Sequence, residues 1–436
     1  MKNYSKHIYD AAVGHAPAPT VHELMTRDPR DLGAELADTI LPTTAFRRLC
    51  HAEMRPVLAT WLRAHFGLKM TDAPTMVMHG LDMTGHGILE TEHGRYLVDS
   101  VMIPLKGWND GILQQAVASA ALVKAHATGC CDGAYVLVVN QNSLKWALWE
   151  VEVPRPSYLE KLFAQFRERA AAYEEAYEGH RRDRAPGVEG YPVVSTRHVT
   201  DEQRMASIVK ELALVESAKR RGGVISPSEV SITSCDRRIA YALKKTPKVD
   251  RFPTHLYRVF AYGTAIHNLT QRLLLDALPD LVDEMTVENK SLRIYGSADV
   301  GDLADMVMLE IKSMSTHQHK KLRSPKSDHC VQATIYARAG SLIFKVVIYL
   351  YVDKELYTIK ELPTKADSSE WHRIASRCKG INETLKAGDM PPRTDKTSEC
   401  DNCPVAYVCK PDEFGHLAPV SRVITASQKR RMRRPA

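Results

Sequence analysis

The chain reads as an α/β protein in two halves. Three observations predict this class. Its 436 residues exceed one ordinary core; one order of elements (helix, hairpin, helix, two strands, closing helix) is spelled twice; and a break rich in glycine and proline, APGVEGYP at residues 185–192, separates the two spellings. The second half is expected to hold a mixed central sheet flanked by helices. The first is a second α/β domain, either a degenerate copy or a coincidence of a common element order.

Residues 1–40, with GHAPAPT, TRDPRDLG and weak periodicity, are expected to be an N-terminal arm or loosely packed helices. Residues 43–68 have helical periodicity, with a proline expected to break or kink the helix. ILETEHGRYLVDSVMI reads as a hairpin around His93-Gly94, QQAVASAALVKAHA as a helix, and AYVLVVN and KWALWEVEVP as strands. The charged run SYLEKLFAQFRERAAAYEEAYEGHRRDR is the expected closing helix of a domain over residues 41–184. Residues 185–225 form a linker with one helix.

The second half, residues 226–412, begins with helix YGTAIHNLTQRLLLDAL and a hairpin through YGSADVGDLADMVMLEIKSMS. Helix DHCVQATIYARAG, strands FKVVIYLYV and LYTIKEL, and a closing helix follow. Residues 413–436 are expected to be a flexible basic tail, whose Lys429, Arg430, Arg431, Arg433 and Arg434 would serve DNA, a partner or nothing.

The composition, 44% apolar and 25% charged, is that of a soluble globular protein. The net charge of +7 is mild but clustered, which suits a polyanion; acidic substrates and anionic membranes fit as well. The opening residues contain no apolar run resembling a signal peptide, and no later run is long enough to span a bilayer. A reducing cytoplasm is therefore expected, without membrane association. There, nine cysteines argue for metal binding, burial or redox chemistry rather than a disulfide framework.

If residues 297–302 and 306–313 are neighbouring antiparallel strands, Glu310 and Lys312 share a face and Asp299 lies across from them. Two carboxylates beside a lysine meet the needs of metal-assisted phosphodiester hydrolysis: oxygen ligands for Mg²⁺ or Mn²⁺, and a cation that orients water or offsets charge. Surface strands also carry Glu and Lys for solubility. The neighbours strengthen the functional reading: His267 lies on a helix upstream, and Gln332 and Tyr336 sit one turn apart on a helix downstream.

This order, with G-x-x-D at 296–299, E-x-K at 310–312 and Q-x-x-x-Y at 332–336, resembles the PD-(D/E)XK nucleases of the RecB exonuclease type. The resemblance implies a restriction-endonuclease-like core over residues 226–412. It makes His267, Asp299 and Glu310 metal ligands, Asp299 the residue of a G-x-x-D turn, Lys312 the catalytic lysine, and Gln332 and Tyr336 the positioners of lysine and DNA.

Cys400, Cys403 and Cys409 lie in CDNCPVAYVC, and Cys235 precedes the nuclease helices. One upstream cysteine and a C-x₂-C-x₅-C group resemble the iron–sulphur staple of the CRISPR-associated RecB-like exonucleases and of AddB. That likeness implies a 4Fe–4S cluster on these four thiolates; a structural Cys₄ zinc is the alternative. Cys50, Cys130, Cys131, Cys330 and Cys378 read as buried small apolar residues.

Between the lysine and the Gln helix, Lys320, Lys321, Arg323 and Lys326 would bind phosphates beside the site or form a solvated loop. His317 and His319 are spaced like ligands on a strand, though a loop pair more often meets solvent or phosphate. Setting Gly85 against Gly296 in the first half puts Ile88 on Asp299, Asp99 on Glu310 and Val101 on Lys312, with Gln115 near Gln332 and His51 near His267. Such a site lacks one carboxylate and the lysine.

The expected function is a metal-dependent DNA exonuclease at linear or single-stranded ends, in phage or prokaryotic recombination, repair or DNA degradation. Recombinase, helicase or single-strand-binding proteins are the expected partners. The rival is a noncatalytic DNA-end clamp, which would bind without added cation and in a salt-sensitive way.

Overall fold

The computed structural model describes residues 2–26, 40–78, 81–103, 111–130, 132–140, 145–153, 156–177, 196–199, 202–218, 222–249 and 252–417. The 185–192 break, Cys131 and the basic cluster of residues 429–434 lie outside them. In chain order the strands are β1 (Met70–Thr71), β2 (Val77–Met78), β3 (Leu81–Asp82), β4 (Gly87–Thr91), β5 (Gly94–Ile103), β6 (Gly133–Asn140), β7 (Trp146–Glu152) and β8 (Thr196–Val199). The second half adds β9 (Val282–Asn289), β10 (Ile294–Asp302), β11 (Val307–Met314), β12 (Val346–Asp353) and β13 (Ile359–Lys365).

Two mixed sheets result, ordered β1-β4-β5-β6-β7-β8 and β13-β12-β11-β10-β9, with β2 and β3 forming a separate ribbon. Their pairing signatures match. From β9, successive neighbours are antiparallel, antiparallel, parallel and antiparallel; from β1 the run through β7 is the same. A parallel step needs a crossover, supplied by helix Gly111–Ala127 in the first half and helix Ser327–Ala339 in the second.

The halves meet in one core. Helix Pro42–Phe66 contributes Phe46, Leu49 and Met54, helix Thr254–Ala277 contributes Ile266, Leu269 and Leu273, and both sheets close over them with residues such as Val98, Leu148, Leu309 and Ile311. Burial at intervals of three and four residues gives each helix its inward stripe. The Arg258 guanidinium lies 4.4 Å above the Trp146 ring across this boundary. Each sheet buries its other face under its own helices.

Two local expectations change. Pro56 does not break its helix: Pro42–Phe66 is one element, with Phe46, Leu49, Cys50, Met54, Leu58 and Trp61 buried on both sides of the proline. Burial of that stripe outweighs a proline cost of about 3 kcal/mol. The residues expected as an arm include helix Tyr4–Gly14, capped by Asn3, with Tyr4, Ile8 and Ala12 inward. Tyr4 donates to Asp302 at 3.0 Å, and Tyr9 donates to the Tyr357 carbonyl at 2.9 Å. Among the described residues no helix is long and apolar enough to cross a membrane.

Candidate active site

Strand β11 divides its side chains between two faces. Leu309 and Ile311 enter the core shared with the first half, so Glu310 and Lys312 point the other way. The β10–β11 register, Val300 opposite Leu309, brings Asp299 alongside Glu310. Asp299 Oδ2 accepts from the Ile311 N–H at 2.7 Å, and His267 Nε2 is 3.7 Å from Asp299 Oδ1. Lys312 Nζ approaches Glu310 Oε1 to 2.6 Å. Glu310 is fully buried, and apart from that ion pair neither of its oxygens has a hydrogen-bond donor among the described residues.

Burial dominates the electrostatics. It pushes the Glu310 carboxyl up to about 7, helped by Asp299 and opposed by Lys312. It lifts Asp299 to about 6, again against Lys312. Burial pulls Lys312 down, but Glu310 and Asp299 outweigh it and hold the ammonium above its usual value. His267 is lowered by burial against the pull of Glu284 and Glu310, which favours the neutral ring.

Tyr336 feels the charges of Glu310 and Asp299, and Gln332 Nε2 donates to its Oη at 3.2 Å. Gly296 lies inside β10, so the expected turn at 296–299 is a strand. A Cβ on Gly296 would come within 2.9 Å of both the Tyr336 ring and Pro227. Glycine is needed there for close approach of the helix.

Two neighbours have no counterpart in the motif reading. Glu284, on β9, is a non-glycine residue at φ 44°, and its charge acts on Asp299 and His267. Gln271, one turn beyond His267, donates to the Asp299 carbonyl at 3.0 Å. Its i, i+4 spacing from His267 is visible in the sequence, whereas Glu284 sits in VDEMTVEN, which looks like any exposed strand.

The basic segment includes helix Thr316–Lys321, so His317 and His319 are not on a strand. His319 is buried, with Nε2 3.0 Å from the Tyr351 carbonyl, a structural place. Lys320, Lys321 and Arg323 are exposed, and Arg323 donates to the Lys320 carbonyl. Lys326 is half-buried at the start of the Gln332 helix.

Cys235, Cys400, Cys403 and Cys409 line one cavity, together with Arg238, Arg393 and Lys410. Glu399 ties the segments by accepting from Thr233 at 2.7 Å and Ser234 at 2.6 Å. Cys50, Cys130 and Cys378 are buried; Cys330 is only half-buried, on the helix that carries Gln332 and Tyr336. Among the described residues, no three His, Cys, Asp or Glu side chains are already closed around a single point as metal ligands.

In the first half Asp99 is buried, but its partners differ from the sequence alignment. Strand pairing sets Gly87 opposite Val98, and His86 N donates to the Val98 carbonyl, so His86, not Ile88, lies across from Asp99. Lys124, from the crossover helix, bonds Asp99 at 2.7 Å, with Arg55 and His86 each at 3.7 Å. His51, aligned near His267, instead faces the Tyr357 hydroxyl at 3.4 Å.

No family model matches the chain, and no curated protein does. Among solved structures, a protein named SSO0001 aligns at TM-score 0.31 and 18% identity, over 47% of this chain and 96% of that one. An alkaline exonuclease, LHK-Exo, from Laribacter hongkongensis aligns at TM-score 0.31 and 15% identity, over 38% of this chain and 90% of that one. Its complex with dAMP gives 0.30 and 15%, over 38% and 89%. Likenesses this weak decide neither the family nor the activity.

Proposed function

We propose that the second half is a metal-dependent deoxyribonuclease of the PD-(D/E)XK type, acting as an exonuclease at linear or single-stranded DNA ends. One observation carries the reading: Asp299 and Glu310 are buried on adjacent strands beside Lys312, with the Glu310 oxygens given no donor besides the Lys312 ion pair. A buried carboxylate left this way is costly. A divalent cation held by Asp299, Glu310 and the neutral His267 would remove the cost, and this oxygen-rich set fits Mg²⁺ or Mn²⁺.

When bound, the cation supplies Lewis acidity to a phosphate oxygen and to water. Lys312, kept protonated by its carboxylate neighbours, offsets negative charge gathering on the phosphate. Gln332 and Tyr336 would position the lysine and the DNA, and Gln271 and the Ile311 N–H fix Asp299. Lys320, Lys321, Arg323 and Lys326 would bind the backbone of the strand.

The same proposal assigns Cys235, Cys400, Cys403 and Cys409 to a 4Fe–4S cluster, with structural zinc as the alternative. Four thiolates converging on one cavity fit either group, and the three cations around them suit the negative charge of an iron–sulphur thiolate cluster.

The test is degradation of end-labelled linear DNA, single and double stranded, by anaerobically prepared protein with Mg²⁺ or Mn²⁺. The wild type should release label only with the cation, and Lys312→Ala should lose at least about a hundredfold in rate. Cation-independent binding without strand loss by either protein would sink the enzyme reading and favour the clamp.

A further inference from the structure

His329 lies on helix Ser327–Ala339, three residues before Gln332 and seven before Tyr336, so the three share a face. Its ring stacks on Tyr351 with centroids 5.6 Å apart, and Tyr351 is the strand neighbour of Lys312. The ring is therefore beside the proposed catalytic lysine.

A chain of hydrogen bonds settles which nitrogen carries the proton. The Lys326 N–H donates to Tyr351 Oη at 3.1 Å. Tyr351 is fully buried, and the one acceptor for its own O–H among the described residues is His329 Nδ1, 2.9 Å away. Nδ1 is thus occupied as an acceptor and the ring proton sits on Nε2. Burial, with Lys312 and Lys326 acting against Asp328, holds the imidazolium value down to about 4. Nε2 makes no hydrogen bond among the described residues: Asp328 Oδ2, at 3.9 Å, is beyond reach.

We infer that His329 is a substrate-contacting residue whose Nε2–H donates to a non-bridging oxygen of a backbone phosphate lying against Lys312. The inference rests on the nuclease reading. A neutral, oriented donor binds phosphate without adding to the positive charge that Lys312 already supplies, and the Tyr351 bond prevents the ring from turning its lone pair toward the phosphate.

Two amide replacements separate this role from a structural one. In His329→Asn the amide falls near Nδ1 and can keep the Tyr351 bond while losing the outward donor; in His329→Gln an N–H can reach the Nε2 place. Steady-state cleavage of end-labelled DNA should show KM raised about tenfold in His329→Asn and within about threefold of wild type in His329→Gln, with kcat changed less. His329→Asn performing as well as His329→Gln, or better, overturns the inference while leaving the nuclease intact. A wild type that does not cut overturns both.

Discussion

Glu310 and Asp299 give the second half an unusual proton inventory. Both carboxyls are held near neutrality by burial, at about 7 and about 6, so between pH 5 and 7 the folded chain keeps protons that the unfolded chain releases. Stability from these groups is full below ordinary carboxylate values and falls as pH rises through 6 and 7. Urea midpoints at pH 5 and pH 8 in chelator should show the wild type losing stability relative to Glu310→Gln over that range. Mn²⁺ or Mg²⁺ should reverse the difference at pH 8, because only the wild type has both ionised carboxylates to offer. Equal pH slopes for the two proteins would contradict the assignment.

At the scale of elements, the β10–β11 hairpin and the helices around it were legible because alternation and helical spacing are local signals. Asp299, Glu310 and Lys312 could be placed on facing strands from the alternating pattern over residues 299–312, and Gln332 and Tyr336 from one helical turn. The break expected at Pro56 is absent because the cost of the proline is local while the burial that outweighs it is tertiary. Glu284 and Gln271 were missed because each acts across a gap between elements, and the His86–Asp99 pairing because a hairpin's register depends on its turn as well as its pattern.

The cysteine segment shows the same tertiary dependence. Thr233, Ser234 and Cys235 meet residues 399–409 only through the fold. Anaerobically purified wild type should be brown, and Cys403→Ala should lose the colour and become sensitive to limited proteolysis between residues 386 and 417. Stoichiometric zinc without iron would make the staple a zinc site.

Across the whole molecule, matching strand pairing in the two sheets supports a common plan with divergent chemistry. Burial raises both carboxyls, but one lysine leaves Glu310 up at about 7, whereas Lys124, His86 and Arg55 together bring Asp99 down to about 2. Lys124 is the nearest of these, 2.7 Å from Asp99. Lys124→Met should therefore cost about 3 kcal/mol by chemical denaturation, and adding Asp99→Leu should recover most of it. Independent, additive losses would show that the pair is not coupled.

The docking of helix Tyr4–Gly14 onto the second half also has a temporal side. Tyr9 finds the Tyr357 carbonyl 348 positions later, so at common rates of synthesis the helix waits roughly 20 to 70 s for its seat to be made. During that wait Tyr4, Ile8 and Ala12 have helix Pro42–Phe66 to pack on but lack the part of their seat that helix Thr254–Ala277 supplies. Translation speed, and whatever shields the nascent chain, thus becomes a determinant of how much of this protein reaches its native state.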